Sequence, residues 1–283
     1  MLTKRDKIFI RMKLVYALAA ALFLSVTTLS AQTDSTSTGT KLKKETFQPD
    51  VKGDMLLQVG LNVWNGAPEV AELSNWGSKS VNVYYMYDID LGNSHFSFHP
   101  GFGLAFEKYA FESRVNLLQD PAATGTDGAP AIGLISVDDI LGYDFDAGSG
   151  NEVRKNKLGA SYLEIPLELS YATKKDNPRA GWKIVVGGRA GLLLGSQTKI
   201  KYRVADDTRK YKLRQDYNLN PFRYSAHTRV GYGGFSLYFD YQFTEVFDAG
   251  NAPTFEFGEG ANLNTGNLQD ISNWRIGIAI DLF

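Results

Sequence analysis

Cysteine is absent from this chain of 283 residues. Its absence excludes a disulfide framework, a cysteine-ligated zinc site, an iron–sulfur cluster and a lipid anchor on an N-terminal cysteine. Long apolar runs are also scarce. The mean hydropathy of -0.22 argues against a bundle of transmembrane helices, each of which needs about 20 apolar residues. Neither charge dominates, because 30 Lys and Arg face 31 Asp and Glu, so nothing indicates nucleic-acid binding.

Aromatic residues (13%) and glycine (28 residues) are plentiful, and the chain alternates with a period of two from Asp54 onward. In the segment 55–63 every odd position is apolar, whereas the even positions include Gln58, Gly60 and Asn62. The same alternation recurs in the segments 81–91, 96–106, 163–171, 182–194, 222–232, 235–243 and 274–282. Most of these segments have about 10 residues, the length of a tilted membrane-spanning strand. The pattern predicts an all-β protein with eight strands.

The N-terminal residues have the features of a targeting signal. Basic residues between Lys4 and Lys13 precede an apolar run that extends to Leu24. Small and polar residues follow, so we expect a cleaved signal peptide over residues 1–31; a transmembrane anchor is the alternative, for which the run is short. Residues 32–52 are mostly polar or charged, and we expect them to form a flexible periplasmic lead-in.

The two faces of the predicted strands decide between a soluble and a membrane barrel. One face carries large apolar residues at nearly every step, and the other mixes charges with glycines. Large apolar residues suit contact with lipid, and small ones suit the crowded interior of a narrow barrel. A soluble, lipocalin-like barrel is the alternative. In a membrane barrel, an aromatic girdle would comprise Trp64, Tyr171, Trp182, Tyr224, Tyr232 and Trp274.

Long and short connections alternate between the predicted strands. The long connections are residues 65–79, 108–157, 199–220 and 248–271, and the short ones are residues 92–94, 173–179 and 233–234. Outer-membrane barrels alternate extracellular loops with periplasmic turns in this way. Residues 53–283 are therefore expected to form an eight-stranded antiparallel up-and-down transmembrane β-barrel in the outer membrane of a Gram-negative cell, in contact with its lipid.

The segment Tyr162-Leu163-Glu164-Ile165-Pro166-Leu167 resembles a strand signature of the PorT-like outer-membrane β-barrel family. The last strand, which ends on Phe283, resembles the C-terminal signal that the barrel-insertion machinery reads. The resemblance covers roughly residues 53–283. It implies an outer-membrane barrel whose C-terminal strand has that machinery as a partner. It does not imply one activity, because the family is defined by its architecture. One family member assists protein secretion, so a surface or secretion protein is a candidate partner, although no motif in this sequence carries that role over.

Charged side chains on the inward face are expected to neutralise one another in the lumen, because isolated buried charges are unfavourable. The predicted network comprises Glu164, Glu168, Arg189, His227, Arg229, Asp240 and Arg275. The same face is predicted to hold Asp88, Asp90, Glu107, Lys183, Arg223 and Asp281. A charged pore lining or a binding site is the alternative.

The turn at Gly233-Gly234 sets a register. A two-residue hairpin there pairs Tyr232 with Phe235 and places His227 opposite Asp240. We expect Asp240 to be ionised and held by Arg229 on the diagonal, with His227 as a second donor.

Three function classes follow: a structural or interaction barrel that displays long loops, as an accessory to secretion or surface assembly; a small transport channel; and an outer-membrane lipid-modifying enzyme. His95, Ser97 and His99 share one strand but are predicted to point inward, which disfavours the enzyme. No catalytic, metal or cofactor site is predicted.

Three local features carry further expectations. The acids around Asp138 and Asp144 lack a calcium-loop pattern and are expected to form a solvated loop. The apolar run 131–137 is expected to extend the neighbouring strands or to dock on the barrel rim, with a partner-binding segment as the alternative. Pro166 predicts a bulge or local break in its strand.

Overall fold

The computed structural model describes residues 53–124, 130–175, 177, 180–257 and 264–282, so the predicted signal peptide and lead-in lie outside the described residues. No helix within these ranges is long and apolar enough to cross a membrane. The described strands are β1 (Asp54–Asn65), β2 (Lys79–Met86), β3 (Ile89–Asp90), β4 (Phe96–Ala110), β5 (Val115–Thr124), β6 (Pro130–Ser136), β7 (Glu152–Ala172), β8 (Trp182–Val204), β9 (Asp207–Leu213), β10 (Phe222–Tyr232), β11 (Phe235–Gln242), β12 (Thr254–Phe257), β13 (Asn264–Asn267) and β14 (Ser272–Asp281). A 3-10 helix (Glu69–Ala71) and a short helix α1 (Val137–Leu141) complete the elements.

Eight of these strands form a closed antiparallel barrel. Each pairs with its neighbour in the order β1, β2, β4, β7, β8, β10, β11 and β14. The barrel closes where β14 pairs with β1, from Leu56 opposite Asp281 to Asn65 opposite Ser272. Sequential antiparallel pairing is the topology of an up-and-down barrel. The predicted fold class and strand number are confirmed.

Alternation along each strand sends apolar residues outward and polar residues inward. Leu237 is 68% exposed and Phe235 is 64% exposed, whereas Gln58 and Asn62 are fully buried. Of the residues predicted for the aromatic girdle, Trp182, Tyr224 and Tyr232 are exposed on the outside. Tyr171 is also exposed, and Trp274 is partly buried.

The prediction for Trp64 is wrong. This side chain is buried, and it packs at 5.0 Å on Tyr109 and at 5.7 Å on Phe247 between ring centroids. Trp64 has the same strand parity as Gln58 and Asn62, so the alternation itself directs it inward.

At the end of the barrel with the long connections, the strands continue beyond the apolar outer band. β7 and β8 remain paired up to Glu152 and Arg203, and β9 adds a hairpin to β8. The connection 108–157, predicted as a loop, contains β5, β6 and α1. β5 and β6 form a second sheet with β12 and β13, in which β12 runs parallel to β6. We call these parts, together with the connection between β1 and β2, the extracellular extension.

An apolar cluster lies at this end of the barrel, where the upper strands and the connections meet. It includes Trp64, Tyr109, Phe111, Leu117, Ile132, Leu134, Leu158, Tyr162, Tyr217, Leu219, Val246, Phe247, Leu268 and Ile271. We call it the apolar cap. Within the run 131–137, Ile132, Leu134 and Val137 are buried, which favours packing over an exposed partner-binding segment.

Details at the opposite end refine three predictions. Gly233 has φ of +66°, which suits the two-residue β10–β11 turn, and the predicted register from Tyr232 opposite Phe235 is confirmed. β7 keeps its register at Pro166, but its pairing with β4 is interrupted there, as expected for a residue without an N–H. β2 ends at Met86, so Asp88 and Asp90 are exposed beyond the lumen, contrary to prediction.

Candidate functional site

The upper lumen contains a buried cluster of two glutamates and two arginines from four different strands. Arg223 makes ion pairs of 2.7 Å with Glu107 and 2.6 Å with Glu164. Arg275 pairs with the same Glu107 at 2.6 Å. Each of these side chains is at most 2% exposed. The cluster therefore joins β4, β7, β10 and β14 across the barrel interior.

Three tyrosines also contact the charged groups of this cluster. The hydroxyl of Tyr84 donates to Glu164, and that of Tyr109 donates to Glu107. The guanidinium of Arg223 lies 3.6 Å from the ring centroid of Tyr162. Aromatic faces attract cations most strongly where water is excluded, so Tyr162 stabilises Arg223 in addition to its two carboxylates.

Asp240 lies in the middle of the lumen and is fully buried. Its carboxylate accepts a 3.0 Å hydrogen bond from Nε of Arg275 and another of 3.0 Å from Oγ of Ser225. Nη1 of Arg189 approaches it to 3.2 Å. His227 lies directly opposite on β10, as predicted. The predicted ion pair with Arg229 is wrong, and so is the predicted donation from His227, whose Nε2 contacts Glu168 instead. Arg275 is the residue directly opposite Asp240 on the other neighbouring strand, β14, and is therefore closer.

Arg229 belongs to a second cluster nearer the short turns. It pairs with Glu168, and it donates a 3.2 Å hydrogen bond to Asp281. Nε2 of His227 lies 2.8 Å from Glu168, and Lys183 lies 3.5 Å from Asp281. All seven residues of the predicted network thus lie in the lumen, divided between two clusters.

The two clusters balance in charge. Their carboxylates are Glu107, Glu164, Glu168, Asp240 and Asp281, and their basic side chains are Lys183, Arg189, Arg223, Arg229 and Arg275. Alternation predicted all ten of these residues to point inward, but the seven-residue network omitted Glu107 and Arg223, which hold the upper cluster together. Their strand parity was the signal. Tyr84 and Tyr109 also lie at inward-facing positions of their strands, but they carry no charge that would identify them as members of the network.

Comparison with known proteins agrees with this architecture. A family model described as the outer membrane protein beta-barrel domain matches residues 54–248. The chain belongs to this family. No curated protein sequence matches the chain.

Two solved structures match this chain at low sequence identity. One is Ail, the attachment invasion locus protein of Yersinia pestis, which is 9% identical over 81% of this chain and 97% of that chain, with a TM-score of 0.30. The other is a major outer membrane protein from Thermus thermophilus, which is 12% identical over 81% and 99% of the two chains, with a TM-score of 0.30.

A third polar group lies in this outer-membrane barrel, near the short turns. Nε2 of His99 lies 2.7 Å from Oγ of Ser170, and Nδ1 of His99 contacts Asp88. The order Asp–His–Ser is that of a hydrolase triad. However, Ser170 is buried in a strand that is paired on both sides, so its backbone amides belong to the ladders rather than to an oxyanion hole.

The nearby His95 and Ser97 do not belong to this group. Nδ1 of His95 bonds the carbonyl oxygen of Ala172, and Ser97 donates to Asp90. His95, Ser97 and His99 therefore do not converge on one point.

Acidic residues also converge in the extracellular extension of the barrel. Oxygens of Asp138, Asp144 and Asp146 lie within 4.8 Å of one another. Arg114 pairs with Asp146 and lies 3.8 Å from Asp138, and its hydrogen bond to Asp146 raises the pKa of the guanidinium. An arginine thus neutralises part of this group.

Proposed function

We propose that this outer-membrane barrel is a non-conducting, non-enzymatic platform that presents its extracellular extension to a protein partner. The observation that carries this proposal is the filling of the barrel at two levels. Ten paired charges occupy the lumen, and the apolar cap lies at the end with the long connections. An eight-stranded barrel is just wide enough for side chains to fill.

The extracellular extension supplies the surface for a partner. Its second sheet contributes Leu117, Ile132 and Leu134 to the apolar cap. Beside the β8–β9 hairpin, Val137 and Phe145 pack with Tyr202 of β8. On the connection between β1 and β2, Trp76 is 79% exposed. Exposed tryptophan is enriched at the centres of protein interfaces, so this connection is a suitable contact.

We take the class of partner from the resemblance of Tyr162–Leu167 to the PorT-like family, one member of which assists protein secretion. We infer an accessory role in secretion or surface assembly, with a surface or secretion protein as the partner. The structure gives this segment a supporting position: Tyr162 contacts Arg223, and Glu164 pairs with the same arginine. The signature thus supports the barrel interior from which the extension is displayed.

Site-specific photocrosslinking in intact cells tests the proposal. A photoreactive residue in place of Trp76 should yield a discrete crosslinked protein. The same residue in place of lipid-facing Leu237, which is 68% exposed, should yield none beyond the insertion machinery. Absence of any adduct at Trp76 and at other exposed positions of the extension, such as Glu72 and Lys210, would contradict the platform role.

A further inference from the structure

The outer wall of the barrel carries a band of lysines at the level where the extracellular extension begins. Five of them define what we call the lysine row: Lys79, Lys108, Lys157, Lys199 and Lys212. They belong to β2, β4, β7, β8 and β9, which are consecutive neighbours in the sheet.

Strand pairing places these equal charges beside one another. Lys79 lies directly opposite Lys108, and Lys199 lies opposite both Lys157 and Lys212. Lys108 faces Gly159, so it meets Lys157 on the diagonal. Like charges directly opposite each other destabilise a sheet, so this arrangement is unfavourable unless an anion is present.

A second row continues the pattern farther from the membrane. Lys201 lies opposite both Lys155 and Lys210. The nearby acids are already engaged, because Glu152 pairs with Arg154 and Arg203. Among the described residues, no carboxylate lies within ion-pair distance of any lysine in either row.

The neighbouring charges affect the lysines themselves. Burial lowers the pKa of Lys157, and the positive charges of Lys108, Lys199 and Lys155 lower it further. Lys157 lies beyond the lipid-facing part of β7, whose exposed apolar residues run from Ile165 to Tyr171. The lysine row is therefore a concentrated, uncompensated positive surface outside the apolar band.

On β2 and β4, the position of the row relative to lipid follows from the neighbouring residues along the strand. Lys79 is two residues from Val81, and Lys108 is two residues from Phe106, both of which are exposed lipid-facing residues. Two residues of strand span about 7 Å. This offset, together with the long side chain of lysine, places the ammonium groups of Lys79 and Lys108 at the headgroup level of the outer leaflet.

We propose that the lysine row binds the phosphate groups of anionic lipid headgroups in the outer leaflet. Charge complementarity and position favour lipid over a soluble anion, because the row begins where the apolar band ends. Each lysine near an anionic membrane surface contributes roughly 1 kcal/mol of attraction, equivalent to about fivefold in affinity. The inference goes beyond the platform function and does not depend on a protein partner.

Electron spin resonance of spin-labelled lipids tests this proposal on the reconstituted full barrel. In phosphatidylcholine bilayers, the fraction of labelled lipid immobilised by the protein is compared for phosphatidic acid and for phosphatidylcholine. The native barrel should prefer phosphatidic acid by at least about threefold at low salt, and the preference should fall as salt rises. The variant K79Q/K108Q/K157Q/K199Q should lose the preference.

Two further variants make the result specific. The charge-conserving variant K79R/K108R/K157R/K199R should keep the preference. The control R203Q/R209Q, which removes arginines paired with acids at the β8–β9 hairpin, should also keep it. An unchanged preference in the Gln variant, or equal association of both lipids with the native barrel, would overturn the proposal. Loss of the native preference on adding inorganic phosphate at low, matched ionic strength would assign the row to a soluble anion and also overturn it.

Discussion

Replacing Asp240 by Asn should destabilise the barrel strongly, because it removes a carboxylate that serves two buried arginines. Arg275 donates to Asp240 at 3.0 Å and keeps Glu107 as a second partner. Arg189 approaches Asp240 at 3.2 Å, and among the described residues it has no other carboxylate within ion-pair distance. Breaking a buried ion pair by removing one partner is unfavourable by about 3–5 kcal/mol. Since Arg275 retains Glu107, we expect about 3 kcal/mol.

Urea unfolding of the barrel in lipid vesicles measures this loss, followed by tryptophan fluorescence and by the heat-modifiable band on a gel. With a slope of about 2 kcal/mol per molar urea, the midpoint should fall by about 1.5 M. Glu152→Gln is the matched control, because it removes a carboxylate from surface pairs with Arg154 and Arg203 and should leave the midpoint unchanged.

A double-mutant cycle identifies the partner of Asp240. Asp240→Asn combined with Arg275→Met should be less destabilising than the sum of the single changes by about 2 kcal/mol. Asp240→Asn combined with Arg229→Met should be additive within about 0.5 kcal/mol, because Arg229 pairs with Glu168 and Asp281 instead. Strong coupling to Arg229 and none to Arg275, or an unchanged midpoint for Asp240→Asn, would refute the assigned geometry.

Three other changes test separate parts of the molecule. Gly60→Ala should destabilise the barrel by about 1–3 kcal/mol, since an added Cβ would lie 2.1 Å from Oη of Tyr238. Adding Tyr238→Phe should recover part of that loss. Equal urea midpoints for the Gly60→Ala and native barrels would contradict this packing. Ser170→Ala should lower the free energy of unfolding by about 1 kcal/mol through loss of the hydrogen bond with His99. Ester-hydrolysis assays of the native protein should show no activity that depends on Ser170. Such activity would establish a triad. Brominated lipid should quench the fluorescence of Trp182, which faces lipid, and should not quench that of the buried Trp64. The variant Trp64→Phe should therefore lose only fluorescence that brominated lipid does not quench. If the variant lost quenched fluorescence instead, Trp64 would lie on the outside of the barrel.

The strands and much of the register were predictable from sequence because both depend on local patterns. Alternation identifies each inward face, and the two-residue turn at Gly233-Gly234 fixes the pairing of β10 with β11. The partner of Asp240 was not predictable in the same way. β11 and β14 are separated by a long connection, so no turn sets the register that brings Arg275 opposite Asp240.

The extracellular extension could not be predicted from local sequence patterns, for a related reason. Its second sheet pairs β12 in parallel with β6, joining Thr254 to Gly133. Pairing over such a separation leaves no periodic signal within either segment. The apolar run 131–137 predicted a packed segment, and the structure places residues 131–136 in strand β6 of that sheet.

Planar-bilayer recording of the purified native barrel tests the central claim, that the paired lumen charges and the apolar cap close the barrel to solutes. The account predicts no stable conductance steps under an applied voltage, at either polarity, from protein whose folding is verified by heat modifiability. Asp240→Asn combined with Arg275→Met, which removes one buried pair, should show small or intermittent steps at most, because the apolar cap remains. Steady single-channel conductance from the native protein would contradict the account and assign the barrel to transport.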